Sequence, residues 1–299
     1  MLLKCYTNLL CHMEKKLFHK LVVFLFLFLF ISSFDIMNDW RYDMKMNANE
    51  KNTKERIRFR VAQWNIGKLN KGKSGHTSIS KTDRDARILD FHTLINDVGA
   101  DVLSINEYAP FFSITDSLLE DSLDLTKDAI LSMYSYAHQG NRYGANCNFI
   151  ASLGFPLENF QEIDYRIHKQ HRYYAVCNMS VNGTSIKIVS THLDTPQYEM
   201  ERSQQIEELI SAFSDDPYVI ICGDFNINDS KEYEPFIVNG YTMANHGILN
   251  DIITFPSNKG GKAIDNIICK GLDIIGIKVY KTKLSDHYLL ACDVVLKED

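Results

Sequence analysis

The sequence predicts an α+β fold in which two β-sheets pack face to face with helices outside them. Short apolar runs that read as strands outnumber helix-like stretches, and the helix-like stretches fall between them. One of these runs, VIIC (219–222), is aliphatic and looks like a buried strand. The chain is also large enough for such a core, with 299 residues of which 45% are hydrophobic.

In chain order, IRFRVAQWNI (57–66) reads as the first strand. RDARILDFHTLINDVGA (84–100) has apolar residues at helical spacing and stops at Gly99, which predicts a helix. DVLSINEY (101–108) and CNFIASLGFPL (147–157) read as strands. YYAVCNMSV (173–181) and SIKIVSTHLD (185–194) flank Asn182-Gly183, a dipeptide suited to a tight hairpin turn, so the two are expected to pair. EMERSQQIEELISAF (199–213) reads as an amphipathic helix. YVIICGDFN (218–226), AIDNIICKG (263–271), DIIGIKVYK (273–281) and HYLLACDVVL (287–296) complete the strands.

Residues 1–34 carry a different signature. Lys15, Lys16 and Lys20 precede the apolar run LVVFLFLFLFI (21–31), with Ser32 and Ser33 behind it. A positive flank and a short apolar run followed by small residues describe a secretory signal peptide. Left uncleaved, residues 17–34 would form a signal anchor that associates the chain with a membrane, although the run is short for a full span. Residues 35–56 are polar, rich in lysine and asparagine, and read as a linker, leaving 57–299 as the folded domain. The domain is therefore expected outside the cytoplasm, either secreted or membrane-anchored. No obligate protein partner is indicated.

The formal net charge is −6, and about −9 once residues 1–34 are set aside. A protein that captures nucleic acid by bulk charge alone is normally basic, so that class is disfavoured. A local basic groove or a metal-assisted phosphate site is compatible with this balance. Cys147, Cys177, Cys222, Cys269 and Cys292 lie beyond the leader, an odd number, and four of them sit inside strand-like runs. They are expected to be buried thiols rather than a disulfide network, and no C-x-x-C pair suggests structural zinc.

Polar residues recur where the apolar runs begin or end. They are Asn65 after QW, Glu107 after VLSIN, His192 in STHLD, Asp224 and Asn226 in GDFN, Asp265 in AIDNI, and Asp286 with His287 in LSDHY. Each alone suits a turn or a cap. Together, at successive strand ends, they would meet at one carboxylate-rich rim.

In this order, WNIG, INEY, STHLD, GDFN, IDNI and SDHY resemble the endonuclease/exonuclease/phosphatase superfamily, across about residues 57–297. The resemblance implies a DNase I-like four-layer α/β/β/α sandwich and metal-dependent hydrolysis of a phosphoester. It makes Glu107 the principal metal ligand, with Asn65 and Asp286 near the metal or its waters. Asp224 would orient and deprotonate the attacking water, and Asn226 would hold the phosphate or that water. His287, oriented by Asp265, would contact the phosphate, and His192 would be a second phosphate ligand or a proton donor to the leaving oxygen. The segment NCNFIAS resembles a GNAILS-like family strand and adds Asn148 as a phosphate candidate. Arg172, at a strand start, is a further candidate to reach the phosphate. Asn106 stands where the family usually has glutamine. The implied cofactor is Mg2+, with Mn2+ or Ca2+ as alternatives, because hard cations share oxygen donors.

The expected substrate is a phosphodiester, in nucleic acid or in a phospholipid head group. Basic stretches at 68–84 and in HKQHR (168–172) suit a nucleic-acid backbone. YAPFFSITDSLL (108–119) offers aromatic residues for a lipid surface, or for the core. The tryptophan- and cysteine-containing PxWCDR-like element of inositol polyphosphate 5-phosphatases is absent, which disfavours that substrate. A catalytically silent binding domain is the non-enzyme alternative, and the presence of Glu107, Asp224, Asp265 and His287 argues against it.

Overall fold

The computed structural model describes residues 57–69, 79–109, 118–140, 147–256 and 260–296. The predicted leader and linker lie outside the described residues. Among the described residues, twelve strands form two six-stranded sheets. The first sheet holds β1 (Arg58–Asn65), β2 (Val102–Asn106), β3 (Tyr136–Gln139), β4 (Phe149–Ser152), β11 (Leu272–Tyr280) and β12 (Leu289–Leu296), in the order β11-β12-β1-β2-β4-β3. The second holds β5 (Leu157–Asp164), β6 (Tyr173–Val181), β7 (Thr184–His192), β8 (Val219–Asp224), β9 (Tyr241–Met243) and β10 (Asp265–Lys270), in the order β5-β6-β7-β8-β10-β9. Helices α1 (Lys81–Val98) and α2 (Leu118–Leu131) accompany the first sheet, and α3 (Glu199–Ala212) and α4 (Glu234–Val238) the second. This is the expected four-layer sandwich.

The apolar runs explain the layering. Along β1, Val61 enters the core between the sheets while Ala62 and Trp64 face the helix layer with Phe91 and Ile95 of α1. Along β8, Ile220 and Cys222 point between the sheets, and Val219 and Ile221 pack with Ile206 and Leu209 of α3. Central strands with two buried faces have no solvent face to mark with polar residues. Cys177, Cys222, Cys269 and Cys292 line the inter-sheet core, and Cys147 lies under the first helix layer. All five are thiols and buried, as expected.

Strand direction gathers the polar residues. β1 and β2 run parallel, as do β7 and β8, so the four C-terminal ends point the same way. β10 and β12 run antiparallel to β8 and β1, which brings their N-terminal starts to that same rim. β4 and β6 do the same beside β2 and β7. Asp265 thereby pairs with Asp224, and His192 lies beside Asp224 in register.

Several boundaries differ from the sequence reading. α1 starts at Lys81 rather than residue 84, because the Ser80 side chain accepts a hydrogen bond from Asp83 N (3.1 Å). Part of the stretch read as a basic loop, residues 81–84, is thus helical. The predicted strand 147–157 is β4 and the start of β5, separated by Leu153–Pro156. α2, α4, β3, the body of β5 and β9 were not visible as elements in the sequence.

Candidate active site

The GDFN segment shows how local sequence builds the rim. A Cβ on Gly223 would lie 2.2 Å from the Thr191 carbonyl oxygen, so only glycine allows β8 to lie this close to β7 there. Asp224 follows at the strand end, and Phe225 anchors the chain in the second helix layer, edge-on to Phe236. Asn226 then adopts a left-handed backbone (φ 53), which asparagine tolerates better than most residues. Its backbone N–H donates to Asp224 Oδ1 (3.1 Å).

Asp224 is the centre of the arrangement and only 2% exposed. Its Oδ2 accepts from Asn65 Nδ2 (3.0 Å) and lies 3.4 Å from His192 Nε2 and 3.8 Å from His287 Nε2. His287 Nδ1 is 2.7 Å from Asp265 Oδ2, so the Asp265–His287 pairing expected from the sequence is present. Burial, followed by the neighbouring Asp265 carboxylate, raises the Asp224 pKa to about 7. Burial opposes charge on His287, but Asp265 and Asp224 outweigh it and lift the imidazole to about 10. His287 is therefore an imidazolium at neutral pH. His192 is held well below its usual value by burial, then by Arg172 and His287, and stands neutral. It can donate a hydrogen bond, whereas the protonated His287 carries the charge.

Glu107 caps β2 with a left-handed backbone (φ 51), a strained setting for glutamate. Its carboxylate is partly exposed and weakly engaged, with Asn65 Nδ2 at 3.4 Å and Lys68 Nζ at 3.8 Å. Asn65 Oδ1 accepts from Gly67 N (2.9 Å), so Asn65 presents its amide nitrogen to Glu107 and Asp224. Asp286 is exposed on the same rim. A Cβ on Gly67 would lie 2.9 Å from both Asp286 Oδ1 and Ser285 Oγ, and Ser285 Oγ bonds the Asn65 carbonyl (2.8 Å). The glycine of WNIG thus lets the SDH turn close over β1.

These residues fit a hard divalent cation. Glu107, Asp224, Asp265 and Asp286 outnumber Lys68, Arg172 and protonated His287, and Asp265 Oδ1 is buried with no hydrogen-bond partner. Asp224, Asp265 and His287 each place a ligand atom within 4.8 Å of the others. That trio is already tied together by the 2.7 Å Asp265–His287 contact, whereas Glu107 is a hard oxygen donor with open lone pairs.

Asn148, Asn226 and Arg172, three of the expected site residues, are buried. Asn148 is fully buried, and its side chain is engaged by the protein. Its Oδ1 accepts from Asn106 Nδ2 (2.8 Å), and its Nδ2 reaches the carbonyls of Ser190 (3.2 Å) and Tyr173 (3.4 Å). Asn226 Nδ2 donates to the Leu193 carbonyl (3.1 Å) and its backbone N–H to Asp224 Oδ1 (3.1 Å), so the residue ties the turn to the Asp224 carboxylate. Arg172 is likewise enclosed, 5% exposed and beside Asp194. Tyr108 is a core residue packed at a tilt against Phe149 (ring centroids 4.6 Å apart), while Phe111 and Phe112 lie outside the described residues.

The sequence reading missed Asn106 and Phe255. Asn106 Oδ1 accepts from Gln63 Nε2 (2.6 Å) and Asp224 N (3.0 Å), and its Nδ2 bonds Asn148, so it joins the sheets directly behind the site. The departure from glutamine at this position was its signal. Phe255 lies 4.9 Å from the His287 ring and forms an apolar wall there.

The model of the endonuclease/exonuclease/phosphatase family matches residues 62–287. A search of curated protein sequences finds no match. Similar solved structures include TDP2 from C. elegans, with TM-score 0.60 and 18% identity over 80% of this chain and 75% of that one. D. rerio TDP2 complexed with a single-strand DNA product has TM-score 0.62 and 14% identity, over 79% and 98% of the two chains. The human nocturnin catalytic domain with a bound sulfate anion has TM-score 0.57 and 20% identity, over 80% and 97%. At these identities the likeness speaks for the fold.

Proposed function

The chain belongs to the endonuclease/exonuclease/phosphatase family, and from that premise we propose that it is an exported, metal-dependent phosphodiesterase. The observation that carries the chemistry is the buried Asp224, held between Asn65 and two imidazoles, one of them kept charged by Asp265. Glu107, with Asp286 and Asn65 beside it, would hold the divalent ion. We take this ion as Mg2+, with Mn2+ or Ca2+ served by the same donors. Such an ion, when bound, neutralises the phosphodiester and polarises its oxygens.

The chain's own groups do the rest. Asp224, with its pKa raised to about 7, accepts the proton of the attacking water near neutral pH. Asn65 and the Asn226 backbone N–H fix the carboxylate's orientation. The His287 imidazolium stabilises charge developing on the phosphoryl oxygens and is the group able to return a proton to the leaving oxygen. His192 donates a neutral hydrogen bond.

A nucleic-acid phosphodiester is the first substrate to test, because Lys68 and Arg172 supply positive charge beside the carboxylates and a structural neighbour carries a DNA product. Export rests on the Lys15–Lys20 flank and the apolar run that follows it, and N-terminal sequencing of the secreted protein tests it. Hydrolysis is tested with a chromogenic phosphodiester plus Mg2+ or Mn2+. Activity is expected to vanish in EDTA and to fall about 10^2- to 10^4-fold in Asp224→Asn. Equal rates under all conditions would favour the silent binding domain. Supercoiled plasmid and sphingomyelin vesicles assayed side by side then separate nucleic acid from lipid.

A further inference from the structure

Arg172 poses an accounting problem. A buried guanidinium needs partners for its donors, and leaving them unmet is costly. Arg172 is 5% exposed, yet its Nε has no hydrogen-bond partner, and its Nη2 reaches Gln170 Oε1 only at 3.4 Å. The nearest carboxylate oxygen, Asp194 Oδ1, is 3.8 Å from Nε, an ion pair but not a hydrogen bond. The charge of Arg172 is opposed by burial and supported by Asp224 first, then Glu107 and Asp194, so it sits within the field of the active site. It also depresses His192, whose Nδ1 is a second buried nitrogen without a partner.

The surrounding turn is built to hold this guanidinium still. Asp194 is fully buried at the end of STHLD. Its Oδ2 accepts from Lys169 N (2.8 Å) and Gln205 Nε2 (3.0 Å), and its Oδ1 from Gln170 N (3.0 Å). Gln205 Oε1 accepts in turn from Asp194 N (3.0 Å), and Gln170 Oε1 from Thr195 N (2.8 Å). Tyr165 N donates to the Arg172 carbonyl (3.3 Å) and closes the turn. The carboxylate satisfies the backbone of the turn with proper hydrogen bonds, while the arginine is held close but left short of partners.

We propose that Arg172 is a catalytic residue that donates hydrogen bonds to the non-bridging oxygens of the substrate phosphoryl group, and that Asp194 is the positioning residue that holds it there. An anionic tetrahedral ligand supplies the acceptors the fold withholds, and a preformed guanidinium is well suited to phosphate oxygens. The inference rests on the phosphodiesterase reading of the same site, but it concerns anion binding and can be tested apart from turnover.

The test measures inorganic phosphate binding by calorimetry, with EDTA and separately with Mg2+, together with the thermal midpoint of each variant. Arg172→Met is expected to weaken phosphate binding at least about tenfold and to leave the midpoint unchanged or raised, because an under-partnered buried charge has been replaced by an apolar chain of similar length. Arg172→Lys keeps the charge but loses the fork, and is expected to recover only part of the affinity. Asp194→Asn is expected to weaken binding several-fold, with a fall in kcat for the chromogenic diester larger than any rise in KM. Added guanidinium ion is expected to restore part of the activity of Arg172→Ala and none of Asp224→Ala. Unchanged phosphate affinity in Arg172→Met, or no phosphate binding by the wild type in either condition, overturns the proposal. A lowered midpoint in Arg172→Met with unaltered affinity assigns Arg172 a structural role instead. Phosphate binding that depends on Arg172 in a protein without hydrolytic activity would leave the anion site standing and remove the phosphodiesterase reading.

Discussion

The charge state of one imidazole depends on a single buried oxygen. Asp265 Oδ2 lies 2.7 Å from His287 Nδ1, and Asp265 is the main reason His287 titrates at about 10. His287 binds its proton more tightly folded than unfolded. The stability this gives is complete below pH 6.5, the usual histidine value, and is lost as pH rises through about 10. Asp265→Asn is expected to move the His287 titration down toward neutrality, read by NMR of the imidazole in metal-free protein, and to lower kcat at pH 8 more than at pH 6. A His287 titration unmoved by the substitution would detach the two residues. This pairing was legible from IDNI and SDHY through the family resemblance, because the motifs name the residues. The neutrality of His192 was not legible, since it arises from burial and from Arg172, which follow from packing across strands.

At the level of elements, Gly223 decides whether β8 can deliver Asp224. Alanine there meets the Thr191 carbonyl at 2.2 Å, too close for any side-chain rotation to relieve, because the obstacle is backbone. Gly223→Ala is expected to cost about 1–3 kcal/mol, measured by the denaturant midpoint, and to lower activity by displacing Asp224. A variant with wild-type stability and turnover would show that the strand pair opens without penalty. Asp293 of β12, paired with Arg60 of β1, offers a pH test. Burial pushes the Asp293 carboxyl up, but Arg60 and Arg58 outweigh it and hold it below its usual range. Such a carboxylate stabilises the fold above the usual Asp range and stops doing so as pH falls through its lowered value. Solvent screening of the half-exposed arginines limits the effect to about 1 kcal/mol. Asp293→Asn is expected to lower the thermal midpoint at pH 7 and to differ little from wild type near pH 3.

Long apolar strands and α3 could be read from the sequence because their patterns are continuous. α2, β3 and β9 could not. β3 alternates no apolar face in YAHQ, and β9 is a three-residue edge strand whose partner, β10, lies more than twenty positions further on.

On the scale of the whole molecule, a polar seam ties the two sheets together behind the active site. Gln63 of β1, Asn106 and Ser104 of β2, Asn148 before β4, Ser190 of β7 and the Asp224 backbone of β8 are linked by hydrogen bonds, with Ser104 Oγ donating to Ser190 Oγ (2.8 Å). Asn106 is its hub. Asn106→Ala leaves Gln63 Nε2 and the Asp224 N–H without acceptors and is expected to cost about 2–3 kcal/mol together with most of the activity. A stable variant with full turnover would show that the seam has no bearing on the site. No motif reveals such a seam. Its hydrogen-bonded partners lie 42 to 118 positions apart and look, one by one, like ordinary polar residues in or beside strands.

The cysteines between the sheets have a further consequence. Burial pushes the Cys177 thiol to about 12 and Cys222 well above its ordinary value, so neither forms thiolate at physiological pH while the sandwich is closed. An alkylating reagent can therefore reach them only when the sheets part. The rate of their modification becomes a clock for that opening, and the loss of a clean reversible melt in air, restored by a reductant, is its visible sign.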